Sequence, residues 1–204
     1  IGTNNVTLTS TDASGNNSSC VAVVTVLDTV SPTVVCQNIN AYLDGAGNVS
    51  IVAGDIDGGS TDNCGGVTLS ASQTSFTCAD IGPNNVTLTG TDGNGNTANC
   101  IAVVTILDTI SPVLTCPGNQ LESPDAFCNF TLPDYTGLAS ATDNCTGSPT
   151  IIQSPAAGIV ISAMTTITLT TSDGNGNTSS CMFDVIINDI VPPTAVCQNI
   201  NVYL

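Results

Sequence analysis

Gly2-Thr-Asn-Asn-Val-Thr-Leu-Thr9 returns as Gly82-Pro-Asn-Asn-Val-Thr-Leu-Thr89, a shift of 80 residues in which Thr3 becoming Pro83 is the one change. The cysteines keep the same register. Cys20 recurs as Cys100 and Cys181, Cys36 as Cys116 and Cys197, and Cys64 as Cys145, in steps of 80 or 81. A fixed period of this length means one small folding unit copied along the chain. Its phase is set by Leu27-Asp-Thr-Val-Ser-Pro32, which recurs at Leu107 to Pro112 and more loosely at Asn188 to Pro193. Proline there cannot continue a hydrogen-bonded ladder. The boundaries expected are therefore the C-terminal part of a repeat (1–29), two complete repeats (30–109 and 110–190) and the start of another (191–204).

Within a repeat, residues alternate or run as short β-branched stretches bounded by Gly, Asn, Asp and Pro, with no convincing 3.6-residue apolar period. The class is all-β. The clearest hairpin joins Asn85–Thr91 to Ala98–Leu107 through Asp92-Gly-Asn-Gly-Asn96, where Gly and Asn supply the positive φ of a tight turn. Several such strands in about 80 residues, ending in a long hairpin, predict an immunoglobulin-like two-sheet sandwich.

The chain contains no Lys, Arg or His, so sixteen acidic residues, fifteen Asp and Glu122, give a formal charge of −16. Side-chain ion pairs are ruled out. A polyanion repels nucleic acids and anionic headgroups, so neither is an expected partner, and no run of about 20 apolar residues suggests membrane insertion. With 41% hydrophobic residues the chain should nonetheless fold, unlike a disordered acidic tail. Seven aromatic residues, three Tyr and four Phe, imply small aliphatic cores that need covalent support. Ten cysteines without any His read as disulfides formed in an oxidising, extracellular compartment. The first residue, Ile1, falls in the middle of the pattern, so both ends read as cut from something longer.

Three stretches carry a resemblance: Cys116-Pro117, Ala141-Thr-Asp-Asn-Cys145, and Thr166 to Cys181 with its Ser-Asp-Gly-Asn-Gly-Asn turn. They resemble the hyalin repeat (HYR). The first complete repeat departs from that pattern by reading Cys36-Gln37 and by carrying Cys78 in place of a cysteine near 128. Its wording, Val35-Cys-Gln-Asn-Ile-Asn40 and Leu43 to Ser50, resembles the bacterial form found in giant SprB-like gliding-motility adhesins exported by the type IX pathway. The resemblance implies an immunoglobulin-like fold, a secreted cell-surface location and an adhesive or stalk role, with no catalytic activity. It names no ligand.

Four cysteines per repeat allow three connectivities. The pairing preferred is Cys36 to Cys100 and Cys64 to Cys78, then Cys116 to Cys181 and Cys128 to Cys145, because the first and last strands of such a sandwich often run side by side. The remaining two would then close short loops. Cys20 and Cys197 are expected to pair with cysteines of the repeats to which they belong.

Asp55, Asp57 and Asp62, and Asp92, Asn94 and Asn96, place oxygens at alternating positions. Calcium takes six to eight such oxygens, and this spacing resembles part of an EF-hand loop without its terminal bidentate Glu. Calcium is thus the candidate cofactor, and no organic cofactor is expected. The alternative reading is that Asp, Asn and Gly simply make good turns. The linker carboxylates Asp28, Asp108 and Asp189 are further candidates for stiffening junctions. Asp28-Thr29-Val30 and Asp108-Thr109-Ile110 resemble the O-glycosylation signal of Bacteroidota surface proteins, which marks Thr29 and Thr109.

Absence of His, Lys and Arg removes the usual bases, oxyanion stabilisers and phosphate clamps, and the carboxylates recur once per repeat as scaffold features do. No enzyme is expected. The function expected is a structural or adhesive segment of a very long surface protein, a stalk or filament for attachment or gliding. A calcium-dependent matrix or glycan-binding module is the alternative. Partners would be neighbouring repeats, surface glycans or other copies in a filament. Tyr135, Phe127 and Phe130 form the sole local aromatic group and are assigned to the core.

Overall fold

The computed structural model describes residues 1–190 and 192–202. The chain divides into two compact units, residues 1–42 with 48–107 and residues 43–47 with 108–204. Among the described residues there is no α-helix, only strands and three short 3-10 turns.

In unit one, strands β1 (Gly2–Thr11) and β2 (Asn17–Val26) form an isolated hairpin, and β3 (Ile39–Tyr42), β4 (Asn48–Ser50), β5 (Thr68–Ala71), β6 (Ser75–Thr77), β7 (Gly82–Thr91) and β8 (Thr97–Leu107) build one domain. Its larger sheet has the order β3-β8-β7-β5, with β3 parallel to β8 and the other pairs antiparallel. The smaller pair β4-β6, with bridges Thr33 to Thr61 and Cys36 to Asp57, supplies the second layer. Period-two alternation buries one face of the long hairpin: Val86, Leu88, Ala102, Val104 and Ile106 are each 0% exposed. Ala41, Ile51, Ile56 and Phe76 are buried as well.

Unit two repeats the plan with β9 (Val113–Thr115), β10 (Gln120–Glu122), β11 (Phe130–Thr131), β12 (Ser140–Thr142), β13 (Thr150–Ser154), β14 (Val160–Ile161), β15 (Thr165–Ser172) and β16 (Thr178–Ile187). The sheet order is β10-β16-β15-β13, again with a parallel first pair, beside the short pairs β9-β12 and β11-β14. Ile167, Leu169, Phe183 and Val185 of the large sheet pack in one core with Leu132 and Tyr135, flanked by Leu114, Phe130 and Ile161 of the short strands. That is a two-layer, all-β sandwich closed by a long C-terminal hairpin. Tyr135 meets Phe183 edge to face at 5.3 Å between centroids. Phe130 is half-buried. Phe127, assigned to the core from sequence, is 83% exposed, because it sits at the tip of a turn in which Asp125 accepts from the backbone N–H groups of Phe127 and Asn129.

Candidate functional site

The Asp-Gly-Asn-Gly-Asn turn folds the same way in each unit. Asp92 Oδ1 accepts from the N–H groups of Asn94 (2.9 Å) and Asn96 (2.8 Å), while Asn96 Nδ2 donates back to Asp92 Oδ2 at 2.8 Å. Gly95 takes φ +93°, which no side chain adopts comfortably. In unit two Asp173 accepts from Asn175 (2.8 Å) and Asn177 (3.1 Å), with Gly176 at φ +107°.

The turn also captures the linker. Asn94 Nδ2 donates to Asp28 Oδ2 and Asn96 Nδ2 to the Asp28 carbonyl, both at 3.2 Å. In unit two Asn175 and Asn177 hold Asp108 in the same manner, at 3.4 and 3.1 Å. A third loop then arrives through the Asp-Asn-Cys turn: Asp62 Oδ2 accepts from Cys64 N–H, and Asp143 Oδ2 from the N–H groups of Cys145 and Thr146. Two carboxylate trios result, Asp28 with Asp62 and Asp92, and Asp108 with Asp143 and Asp173, each trio offering oxygens within 4.8 Å of one another. Among the described residues these are the two such groups.

Burial works to raise the Asp92 and Asp173 carboxyls, yet hydrogen bonds from the following Asn side chain and backbone N–H groups outweigh it and hold both below the usual aspartate value. Both stay ionised at neutral pH.

Of the six residues expected from sequence to hold calcium, the structure brings Asp62 and Asp92 together and adds Asp28. Asn94 and Asn96 serve as donors that fix the carboxylates. Asp55 and Asp57 lie outside the trio: Asp55 accepts from Val52 N–H at 2.7 Å within the 3-10 turn Ala53–Ile56, and Asp57 accepts from Ser60. Alternating spacing along one loop does not contain this trio, because its three carboxylates come from three loops. Recurrence at matching repeat positions (28 and 108, 62 and 143, 92 and 173) was the signal that could have found it.

Two disulfides link the first and last strand regions, Cys36 to Cys100 and Cys116 to Cys181, both with 5.9 Å between Cα atoms. The short-loop pairs expected from sequence, Cys64 to Cys78 and Cys128 to Cys145, do not form. Cys64 and Cys128 are exposed free thiols, whereas Cys78 and Cys145 are disulfide-bonded. The reason is the length of the hairpin. Cys64 lies at its turn end beside Asp28, while Cys78 precedes the start of β7, and a ten-residue strand spans roughly 33 Å, far beyond disulfide reach. Cys128 points its thiol at Asp189 (3.9 Å), just past the end of β16, while Cys145 sits with Asp143 at the opposite end. Burial, and then the neighbouring Asp28 charge, raises the Cys64 thiol above its ordinary value. Thr29 and Thr109 are exposed beside their linker aspartates.

The features together define a tandem-repeat protein of small, disulfide-closed β-sandwiches with a carboxylate cluster in each. No family model matches the chain. It is 34% identical to hyalin from Strongylocentrotus purpuratus over 218 residues, covering 98% of this chain and 18% of hyalin. The similarity to hyalin runs through both units, and the chain spans under a fifth of that relative's length. Similar solved structures include human CDH23 EC21-23 (18% identity, 91% of this chain and 74% of that one, TM-score 0.41) and Sidekick-1 immunoglobulin domains 1–4 (11%, 88% and 57%, 0.40).

Proposed function

We propose that the chain is a structural and adhesive segment of a long secreted, cell-surface protein, in which repeated sandwiches form a stalk or filament that mediates attachment. The observation that carries this reading is the recurrence of one disulfide-closed sandwich in both units, with hairpin β1–β2 copying its last two strands. A catalytic site is singular; a feature repeated once per module belongs to a scaffold. Disulfides suit an oxidising exterior. The finer form, gliding motility with type IX export, rests on the bacterial wording of Val35 to Asn40. Under it the exposed Thr29 and Thr109 are glycan acceptors, and the partners are neighbouring repeats, surface glycans or further copies.

The domain limits proposed are 30–109 and 110–190, with 1–29 ending one module and 191–204 starting another; Val191, Tyr203 and Leu204 lie outside the described residues. Support comes from the hairpin β1–β2, where Val6, Leu8, Val24 and Val26 are 46–68% exposed although their counterparts Val86, Leu88, Val104 and Ile106 are 0% exposed. Calcium is the cation this reading invokes, since a chain of net charge −16 without a basic residue needs external counter-charge. A calcium-dependent matrix role is the second reading, and the two carboxylate trios are the observation that supports it.

Single-molecule stretching of the chain tests the reading. Discrete repeated unfolding events are expected, with extension per event growing once reductant opens Cys36–Cys100 and Cys116–Cys181. Featureless extension at low force overturns the structural role. Light scattering with calcium and then a chelator decides the matrix alternative, which requires reversible aggregation.

A further inference from the structure

We infer that each unit holds one calcium ion between the linker aspartate, the aspartate of the Asp-Asn-Cys turn and the aspartate opening the last hairpin: Asp28, Asp62 and Asp92, and again Asp108, Asp143 and Asp173. The inference rests on the calcium reading above and gives it an address. The trio alone would be only a cluster of acids. What points to a ligand is one oxygen in each: Oδ1 of Asp62 and Oδ1 of Asp143 are buried to under 1 Å² and accept no hydrogen bond.

A buried carboxylate oxygen is normally hydrogen-bonded or paired with a cation. The other oxygen of the same residues shows that donors can be supplied here, since Oδ2 of Asp62 and Asp143 takes backbone N–H groups. The remaining carboxylates are more than nine-tenths buried in three of four cases, Asp92 at 6%, Asp108 at 7% and Asp173 at 5% exposed. Three carboxylates within 4.8 Å repel one another, and a chain with no Lys, Arg or His has no side chain that could neutralise them. The counter-charge must therefore come from solution.

The donor set selects the ion. Oxygen is the ligand common to both units, because Cys64 near the first trio is a thiol whereas its counterpart Cys145 is disulfide-bonded. Hard oxygen ligands exclude a preference for zinc or copper. Calcium accepts an irregular shell of six to eight oxygens, which three carboxylates from three loops plus water can fill, while magnesium demands near-ideal octahedral geometry.

Calorimetric titration of the oxidised chain with calcium chloride tests the site. Two ions per chain are expected; Asp62→Asn and Asp143→Asn should each abolish one, weakening it at least tenfold, and the double variant should bind none. Asn keeps the Oδ acceptor for the turn, and Asp55→Asn should leave both ions in place. Because a variant could misfold, backbone NMR of the unaltered chain provides a second readout. Calcium should shift the amides of Cys64, Asn94 to Asn96, Cys145 and Asn175 to Asn177 most. Binding that survives in the double variant, or shifts centred on Asp55 to Ser60, overturns this address while leaving calcium dependence standing. Absence of any calcium binding by the unaltered chain overturns both.

Discussion

Leu8, Leu88 and Leu169 occupy one position in three copies of the repeat, each opposite a cysteine in the register of its hairpin (Cys20, Cys100 and Cys181). Their surroundings differ entirely: Leu8 is 68% exposed, whereas Leu88 and Leu169 are 0% exposed. Truncation to Ala in a close-packed core removes the transfer energy of the lost methyl groups and leaves a cavity, together about 3 kcal/mol. For a domain of about 80 residues this lowers the melting temperature by roughly 12–24 °C. Leu88→Ala should therefore shift one transition in a calorimetric scan of the oxidised chain, and Leu169→Ala another, since separate cores unfold separately. Leu8→Ala should change neither by more than about 0.5 kcal/mol, the usual range for an exposed site. The three variants share chemistry, strand and register, so only burial distinguishes them. Equal losses for Leu8→Ala and Leu88→Ala would refute the assignment of β1–β2 to a module whose core lies elsewhere. A harmless Leu88→Ala would refute the sandwich core itself.

Replacing Cys36 and Cys100 together with Ala releases a loop of 64 residues, and the chain-entropy model gives a loss of about 4 kcal/mol, measurable by urea unfolding against the unaltered chain. Maleimide labelling of the folded chain should modify Cys20, Cys64, Cys128 and Cys197 and leave the other cysteines intact, with Cys64 slowed at neutral pH because its thiol pKa is raised. Acid should unfold the turns in a defined direction. The carboxyls of Asp57, Asp92, Asp134 and Asp173 are held below the ordinary value of 3.8, so their contribution is complete above that value and is lost as pH falls through the lower folded values. Circular dichroism should show stability flat near neutrality and falling below about pH 4; stability that rises on acidification would contradict the hydrogen bonds assigned to these turns.

Much of the architecture was legible in the sequence because a duplicated module writes its own alignment. The match of Gly2–Thr9 with Gly82–Thr89 places two hairpins, and the period-two alternation of Val86, Leu88, Ala102 and Val104 gives the buried face. Less was legible wherever loops from distant sequence converge. Cys64 and Cys78 lie fourteen residues apart, a short loop along the chain, but the long hairpin sets them at opposite ends of the sandwich. Phe127 misled in the other direction: its aromatic ring suggested core, while the Asx turn made by Asp125 dictates a tip exposed to solvent.

The carboxylate trios are invisible to local spacing yet follow from the repeat. Asp28, Asp62 and Asp92 lie 34 and then 30 residues apart in sequence, so no loop motif contains them. Each is instead fixed by its own short hydrogen-bonded turn, Asp28 by Val30 N–H, Asp62 by Cys64 N–H and Asp92 by Asn94 and Asn96 N–H. Those turns need only Asp followed by small or amide residues, which is why they read as ordinary turn chemistry. Asn94 and Asn96 then do what a turn alone does not require: they reach out to the linker and draw Asp28 against Asp92. Drawing like charges together costs free energy, and the same two asparagines repeat that arrangement as Asn175 and Asn177 on Asp108. An arrangement that is unfavourable by itself, reproduced at matching positions in a chain with no basic residue, makes physical sense when an external cation occupies its centre.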